Sequence, residues 1–306
     1  MNRVVVVKRD SALGQDSWEP DDYYRALEAG LVRLCAADST ASAVRKLLPA
    51  GPIGMKTNCL VGKPNSTPTA LVDGVARVLN EAGFDDSQIV VWDRTSRELA
   101  GAGFELNAST RGRRCLGTDA NGVGYSSSFY SYGKVDSLVS RIMTIMVAAN
   151  INLPVLKDHS IAGLSGGMKN MYGAIHNPNK YHADNCNPFC AHVSCLEPIK
   201  EKNKLTVMDA VHVQYDGGPG FMGQYRGYYG GIIMSDDPVA ADRVGLEILT
   251  RLRADHGRPP LEAVGRGVKY LATAEEIGLG TADMSRIELI VLEFNSASEA
   301  GEARLF

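Results

Sequence analysis

Apolar residues along this chain alternate between strand-like blocks and helix-like spacing. Val4 to Val7 form a continuous apolar run, too short for a signal core or a membrane span, and predict a first buried strand. Asp21 to Leu34 (DDYYRALEAGLVRL) opens on acidic N-cap residues and keeps apolar positions at helical spacing. A second helix is expected over Thr40 to Leu48. Then follow a strand at Ile53 to Lys56, a loop, a helix from Pro68 to Ala82 and a strand at Gln88 to Trp92, with Thr67-Pro68-Thr69 read as an N-cap followed by a first-turn proline. That order is a β-loop-α-β unit, whose expected geometry is a right-handed parallel crossover.

The stretch from Gly101 to Gly133, rich in Gly, Ser, Asn and Tyr, reads as loop or short hairpin, and Ile142 to Leu153 (IMTIMVAANINL) as a buried strand. Lys204 to Leu249 reads strand, Gly-rich loop, strand and helix, the helix capped by Asp236-Asp237 before Pro238. In that register Asp242 faces inward with Val239 and Leu246, where a buried carboxylate needs a partner. Pro259 to Glu293 supplies a short helix, a turn and a last strand (IELIVLE) before a polar tail. The pattern predicts an α/β fold, a mostly parallel sheet with crossover helices. It is read as a single unit over 1–306, with two lobes, 1–150 and 151–306, meeting at a cleft as the alternative division.

Composition narrows the partners. The 306 residues are 44% hydrophobic and 22% charged with net charge −3, and no Lys/Arg cluster interleaves with aromatics. Nucleic acid and anionic membranes are therefore not expected, and a small-molecule substrate is. The oligomeric state stays open, a homodimer included. Six cysteines, with Cys35, Cys59 and Cys115 scattered, do not form a secreted disulfide framework, so a cytoplasmic location is expected, although removal of a leader would leave the same sequence.

Candidate chemistry gathers at predicted strand ends, where ligands sit in open parallel α/β sheets. Lys56, Asn58, Asp93, Arg94 and Arg97 fall there; the competing reading makes Asp93 and Arg97 a cap and a solvated pair, with Lys56 on the surface. Leu153 to Cys195 holds four of the six histidines and three of the six cysteines. Within it Lys157 and His159 follow a strand, and the turn at Gly166 and Gly167 leads to Lys169 and Asn170, either cradling an anion or simply turning tightly. His176, His182 and His192 lie among Asn and Pro. Cys186, Cys190, His192 and Cys195 give C-x3-C-x-H-x2-C, which is no standard zinc spacing; an iron-sulfur site would need His182 or a remote cysteine as fourth ligand, against inert packing. Asp209, His212 and Asp216 near a later strand end could converge on the same cleft. The GVG and GGPG patterns do not form a dinucleotide turn.

Several of these motifs together carry a resemblance. Lys56 to Asn58 (K-x-N), INLPVLKDH, LSGGMKNMYGAIHNPNKYH, MDA…YDGGPG and SDDPVAAD, spread over about Gly51 to Ile290, resemble the domain-of-unknown-function family 362, often associated with iron-sulfur proteins. The C-x2-C-x2-C-x3-C run of a ferredoxin module is missing from this sequence. More distantly, KDHSIAGLSGGMK is similar to the nickel-pincer lactate racemase family, in which a His precedes a Gly-rich turn and its Lys by ten residues, as His159 precedes Lys169. WDRTSR only loosely echoes that family's Asp/Arg signature. The resemblance implies His159 as proton-transfer residue, Lys169 as cofactor or substrate anchor and His182 as a metal ligand; with Cys186 from the cysteine group, His182 makes the candidate metal set, for nickel or iron.

The expectation is an enzyme, an isomerase/epimerase or an oxidoreductase, moving a proton or hydride on a polar, carboxylate- or hydroxyl-bearing substrate. His159 would serve as acid/base, with Lys169, Lys56 and Asp93 in the catalytic group, and Asn58, Arg97, Gly166, Gly167, Asn170, His176 and Asp216 binding substrate or cofactor. An iron-sulfur or redox-metal protein and a non-catalytic small-molecule binder are the alternatives.

Overall fold

The computed structural model describes residues 2–9, 17–294 and 300–306. Its strands are β1 (Asn2–Arg9), β2 (Ile53–Lys56), β3 (Ile89–Asp93), β4 (Arg114–Gly117), β5 (Tyr130–Tyr132), β6 (Val135–Ser137), β7 (Ala149–Asn152), β8 (Val155–His159), β9 (Gly163–Ser165), β10 (Asn203–Gln214), β11 (Arg226–Ser235), β12 (Ile287–Phe294) and β13 (Gly301–Glu302). Its α-helices are α1 (Pro20–Cys35), α2 (Thr40–Leu47), α3 (Thr69–Glu81), α4 (Ser96–Gly101), α5 (Gly167–Asn170), α6 (Phe189–Ser194), α7 (Glu197–Lys202), α8 (Pro238–Asp255) and α9 (Tyr270–Glu276). Among the described residues, eleven strands form one mixed, mostly parallel sheet, ordered β13-β12-β1-β11-β10-β7-β2-β3-β4 with β8 and β9 branching from β10. Strands from both halves of the sequence share it.

Alternation of side chains divides the apolar residues between the two faces. Val5, Val7, Ile53, Met55 and Val91 pack under α1 and α3 with Leu27, Leu31 and Leu71, while Val4, Val6, Trp92 and Met208 pack with Met168, Val244 and Ile248 on the other face. The result is an α/β/α sandwich, as the patterning predicts. β2 lies parallel between β3 and β7, so that Lys56 is level with Trp92 and Asn152. The long strand β10 pairs first with β7 and then with β8, which carries the sheet beyond the end of β7.

Four expectations change. Ile142 to Met146 is a short π-helical turn rather than strand, and β7 begins only at Ala149. The loop-like stretch from Gly101 contributes β4, an edge strand parallel to β3, besides the β5-β6 hairpin. Thr67 does not cap α3; its Oγ1 accepts from the Asn58 amide (2.8 Å) and donates to the Leu153 carbonyl (2.6 Å), tying the β2-α3 loop to the chain before β8. The tail is not merely polar and exposed, since β13 pairs with β12; residues 295–299 of it lie outside the described residues. Among the described residues no helix is long and apolar enough to cross a membrane.

Candidate functional site

The carboxyl ends of β2, β3 and β8 open on a cleft of about 260 Å³. Its walls include Lys56, Asn58, Asp93, Arg94, Lys157, His159, Gly166, Lys169, Asn170, Tyr172 and His182. Each strand end delivers a charged or polar group because the sheet stops there while the crossover loops continue past it.

Lys56 and Asp93 are neighbours on β2 and β3. Lys56 Nζ donates to Asp93 Oδ1 (2.6 Å), the Thr57 carbonyl (2.5 Å) and Asn170 Oδ1 (3.3 Å). Asp93 also accepts from the backbone N–H of Cys59 and of Arg94, both at 2.7 Å. This pair is electrically closed and fully hydrogen-bonded, and the backbone of Gly173 passes so near that a Cβ there would lie 2.8 Å from the Lys56 Nζ.

Lys157 differs. Its Nζ donates to Asn58 Oδ1 (2.7 Å) and to the Asn65 carbonyl (2.6 Å), with no carboxylate in ion-pair range among the described residues. Burial pushes its ammonium down to about 7, and the nearby Lys169 adds to the depression. Two acceptors leave one further position on the nitrogen, a proton in the ammonium or a lone pair in the amine. Asn58 Nδ2 continues the network to Asn170 Oδ1 (3.0 Å), linking Lys157 to the Lys56 pair.

Lys169 also lacks a carboxylate. Its Nζ lies 3.9 Å from the centroid of the Tyr172 ring, and burial again lowers its affinity for the proton. The turn before it holds no anion from outside: the amides of Gly167 (2.5 Å) and Met168 (3.1 Å) donate to Asp242 on α8. That is the partner the buried Asp242 required, although burial still pushes the carboxyl up to about 7. Gly166 is glycine because a Cβ would sit 2.3 Å from Asp242 Oδ1. The amides of Gly167 and Met168 are thus taken by an internal carboxylate, while Gly166 lines the cleft three residues before Lys169.

The two cleft histidines carry complementary donor patterns. His159 Nδ1 accepts from the N–H groups of Ile161 and Ala162, each at 3.1 Å, so Nε2 bears the hydrogen. Burial, then Lys169, His182 and Lys157, hold His159 down at about 3, so it stays neutral. His182 Nδ1 lies 3.0 Å from the Pro178 carbonyl, which can only accept, so its Nε2 keeps a lone pair. The rings stack at 6.0 Å between centroids.

Other candidates stand elsewhere. Arg97 is exposed on α4, and Arg94 is the arginine at the cleft, its guanidinium held by Glu98 (2.5 Å). His176 is exposed and packs edge-on against Tyr125 (5.1 Å). Asp216 binds Arg253 and Arg266, each at 3.1 Å, outside the cleft. Asp209 is buried on the α1 side, accepting from Tyr23 Oη (2.8 Å), and His212 packs against Tyr228; neither reaches the cleft walls. Arg94 and Lys157 were placed at strand ends from sequence, but neither was given a catalytic or binding role there. The signal for Lys157 was available, because Lys157 and His159 share a face of β8 by strand alternation.

The cysteines do not meet around a metal. Cys186 and Cys190 hydrogen-bond to one another and face Tyr172, whereas Cys195 faces Tyr132. Contact with Cys190, followed by the field of Lys169, lowers the Cys186 thiol to about 7. Among the described residues no three His, Cys, Asp or Glu side chains converge as a metal shell. With His159 Nδ1 taken by amides and its Nε2 protonated, the donor set does not fit an iron-sulfur cluster or a metal ion held by protein ligands alone.

Comparison with known proteins places the chain as follows. The family described as "Domain of unknown function (DUF362)" matches residues 53–247, more than half of the chain. Among curated proteins none matches. A crystal structure of a protein from Thermotoga maritima overlays with a TM-score of 0.46 at 14% identity, covering 78% of this chain and 60% of that one. The chain thus spans less than two thirds of that protein's length.

Proposed function

The chain belongs to the DUF362 family, and from the cleft we propose that it is an enzyme transferring a proton on a small, carboxylate- or hydroxyl-bearing substrate. One observation carries this reading: Lys157 and Lys169 line the cleft with no ion-paired carboxylate among the described residues, beside the neutral His159. Buried cations without counter-ions are costly, and an anionic ligand is the natural compensation.

In this reading Lys169 binds the substrate carboxylate. His159, neutral at every physiological pH, offers Nε2–H to a substrate hydroxyl or carbonyl oxygen and stabilises charge developing there. Lys157, poised near 7, accepts the proton as its free amine, since a base is most effective when its pKa lies near the working pH. Asn58 Oδ1 and the Asn65 carbonyl already face its nitrogen and hold the ammonium that forms. The Lys56–Asp93 pair serves as a rigid floor. His159 is therefore assigned the donor role rather than that of the base.

The reading is tested by incubating the protein with a cell-extract metabolite pool in D2O and following deuterium uptake by mass spectrometry. A metabolite labelled by the wild type and not by Lys157→Met is the expected result. Conversion without label would point to hydride transfer instead. If the wild type neither labels nor converts any metabolite, the enzyme reading is overturned in favour of a binding protein.

A further inference from the structure

The floor of the cleft is cationic, but its mouth is apolar. Leu60, Val61 and Pro219 line it. Leu60 is 57% exposed, and with Phe221 (45%), Met222 (42%) and Ile161 (40%) it makes four of the nine exposed large apolar side chains among the described residues. These residues come from three loops at one edge of the sheet: the β2-α3 loop, the β8-β9 turn and the β10-β11 loop.

The loops form a single surface. The Ser160 amide donates to the Gly218 carbonyl (2.9 Å), and the Gly218 amide to Asp158 Oδ2 (2.9 Å). Asn65 Nδ2 donates to the Pro219 carbonyl (3.2 Å), Gln214 Nε2 to the Gly220 carbonyl (2.8 Å), and the Met222 amide to Gln214 Oε1 (2.9 Å). Many polar atoms of the loops are satisfied by one another, which leaves Leu60, Val61 and Pro219 as an apolar part of the wall shared with Lys157 and Lys169, and sets Phe221 two residues on from Pro219. Asn65 takes part in both, since its carbonyl accepts from Lys157 while its side chain holds the Pro219 loop. The cleft, about 260 Å³, falls below the ~300–1,000 Å³ typical of pockets that swallow a ligand whole.

We propose that the substrate is an amphiphilic carboxylate, its charged head on the cleft floor and an aliphatic or aromatic tail lying on the rim of Leu60, Val61, Pro219 and Phe221. This rests on the reading of Lys169 as the carboxylate anchor, and a single titration series separates the two.

Calorimetry of the full chain with straight-chain carboxylates from butyrate to octanoate, and with the matching primary alcohols, reads both halves. Affinity is expected to rise about two- to fourfold with each added methylene, the upper figure corresponding to full burial of the group. In the double variant Leu60→Ser, Phe221→Ser this slope should flatten, while Lys169→Ala should weaken every acid by a similar factor. Acids that bind with a flat series would overturn the tail and leave the carboxylate head standing. Alcohols binding as tightly as the acids would overturn the head and keep the rim. If sedimentation finds a dimer that the double variant abolishes, a second copy of the chain covers the rim and the tail assignment is wrong.

Discussion

Strand β8 carries two kinds of buried charge one residue apart. Asp158, fully buried, faces Arg266 Nη1 at 2.7 and 2.8 Å from its two oxygens, accepts from the Gly218 amide and lies 3.5 Å from Arg253, which is itself bound by the Tyr215 carbonyl and Asp216. On the opposite face Lys157 and His159 look into the cleft, and Lys157 meets only an amide oxygen and a carbonyl. The first cluster is electrically closed. The second is open. The comparison teaches that burial of a charge does not mark a functional group; a buried charge left without its counter-ion does.

The comparison can be broken first on the closed side. Asp158→Ala takes from Arg266 and Arg253 one of their two carboxylates and leaves Asp216, so the cost approaches but does not exceed the about 3–5 kcal/mol of a fully broken buried pair, to be read from urea unfolding. A loss below about 1 kcal/mol would mean that the cluster is not the closed structural unit described.

On the open side, Lys157→Met should lower turnover of any substrate found by at least about 10²-fold, with a far smaller change in stability. Its pH signature has a definite sign. Lys157 has a folded value near 7 against 10.5 when unfolded, so the folded chain binds fewer protons between those limits. Wild-type stability should therefore gain on that of Lys157→Met as pH rises through this window. Unfolding curves of both proteins across the window measure it; parallel pH profiles would contradict the depressed lysine.

A smaller effect is expected where the two sides meet. Asp242→Ala removes the acceptor for the Gly167 and Met168 amides, with a cost of about 1–3 kcal/mol for the unsatisfied donors. Because those amides set the turn before Lys169, carboxylate affinity should fall as well, whereas Asp242→Asn, which keeps an acceptor oxygen, should retain part of it. Calorimetry with octanoate distinguishes these outcomes.

What the sequence revealed follows from the range of the forces involved. The β2-α3-β3 unit was legible because Ile53 to Lys56 and the helical spacing of Leu71, Val72, Val75 and Leu79 are local signals. The inward register of Asp242 was legible for the same reason, but its partners were not, since the amides of Gly167 and Met168 reach it only through tertiary packing. Ile142 to Met146 misled because an apolar run has no decisive period; the π-turn buries Ile142 and Met143 and leaves Ile145 65% exposed. β4 hid inside a Gly- and Ser-rich stretch, where four residues give too little pattern. The cysteine spacing suggested one cluster, yet Asp184, Asn185 and Cys186 take φ of 47, 53 and 61°, a left-handed turn that brings Cys186 against Cys190 and Tyr172, while Cys195 ends on Tyr132. Lys157 was seen at its strand end but given no role, because whether a lysine meets a carboxylate is decided by loops far away in the chain.

The most direct measurement is the titration of Lys157 by carbon NMR of lysine labelled at Cε, assigned with Lys157→Met, in the free protein and with saturating octanoate. The account predicts a midpoint near 7 in the free protein that stays well below the ordinary 10.5 when the carboxylate sits on Lys169, so that the free amine remains available. A free-protein midpoint already near 10.5, or one that octanoate drives up to that value, would contradict it.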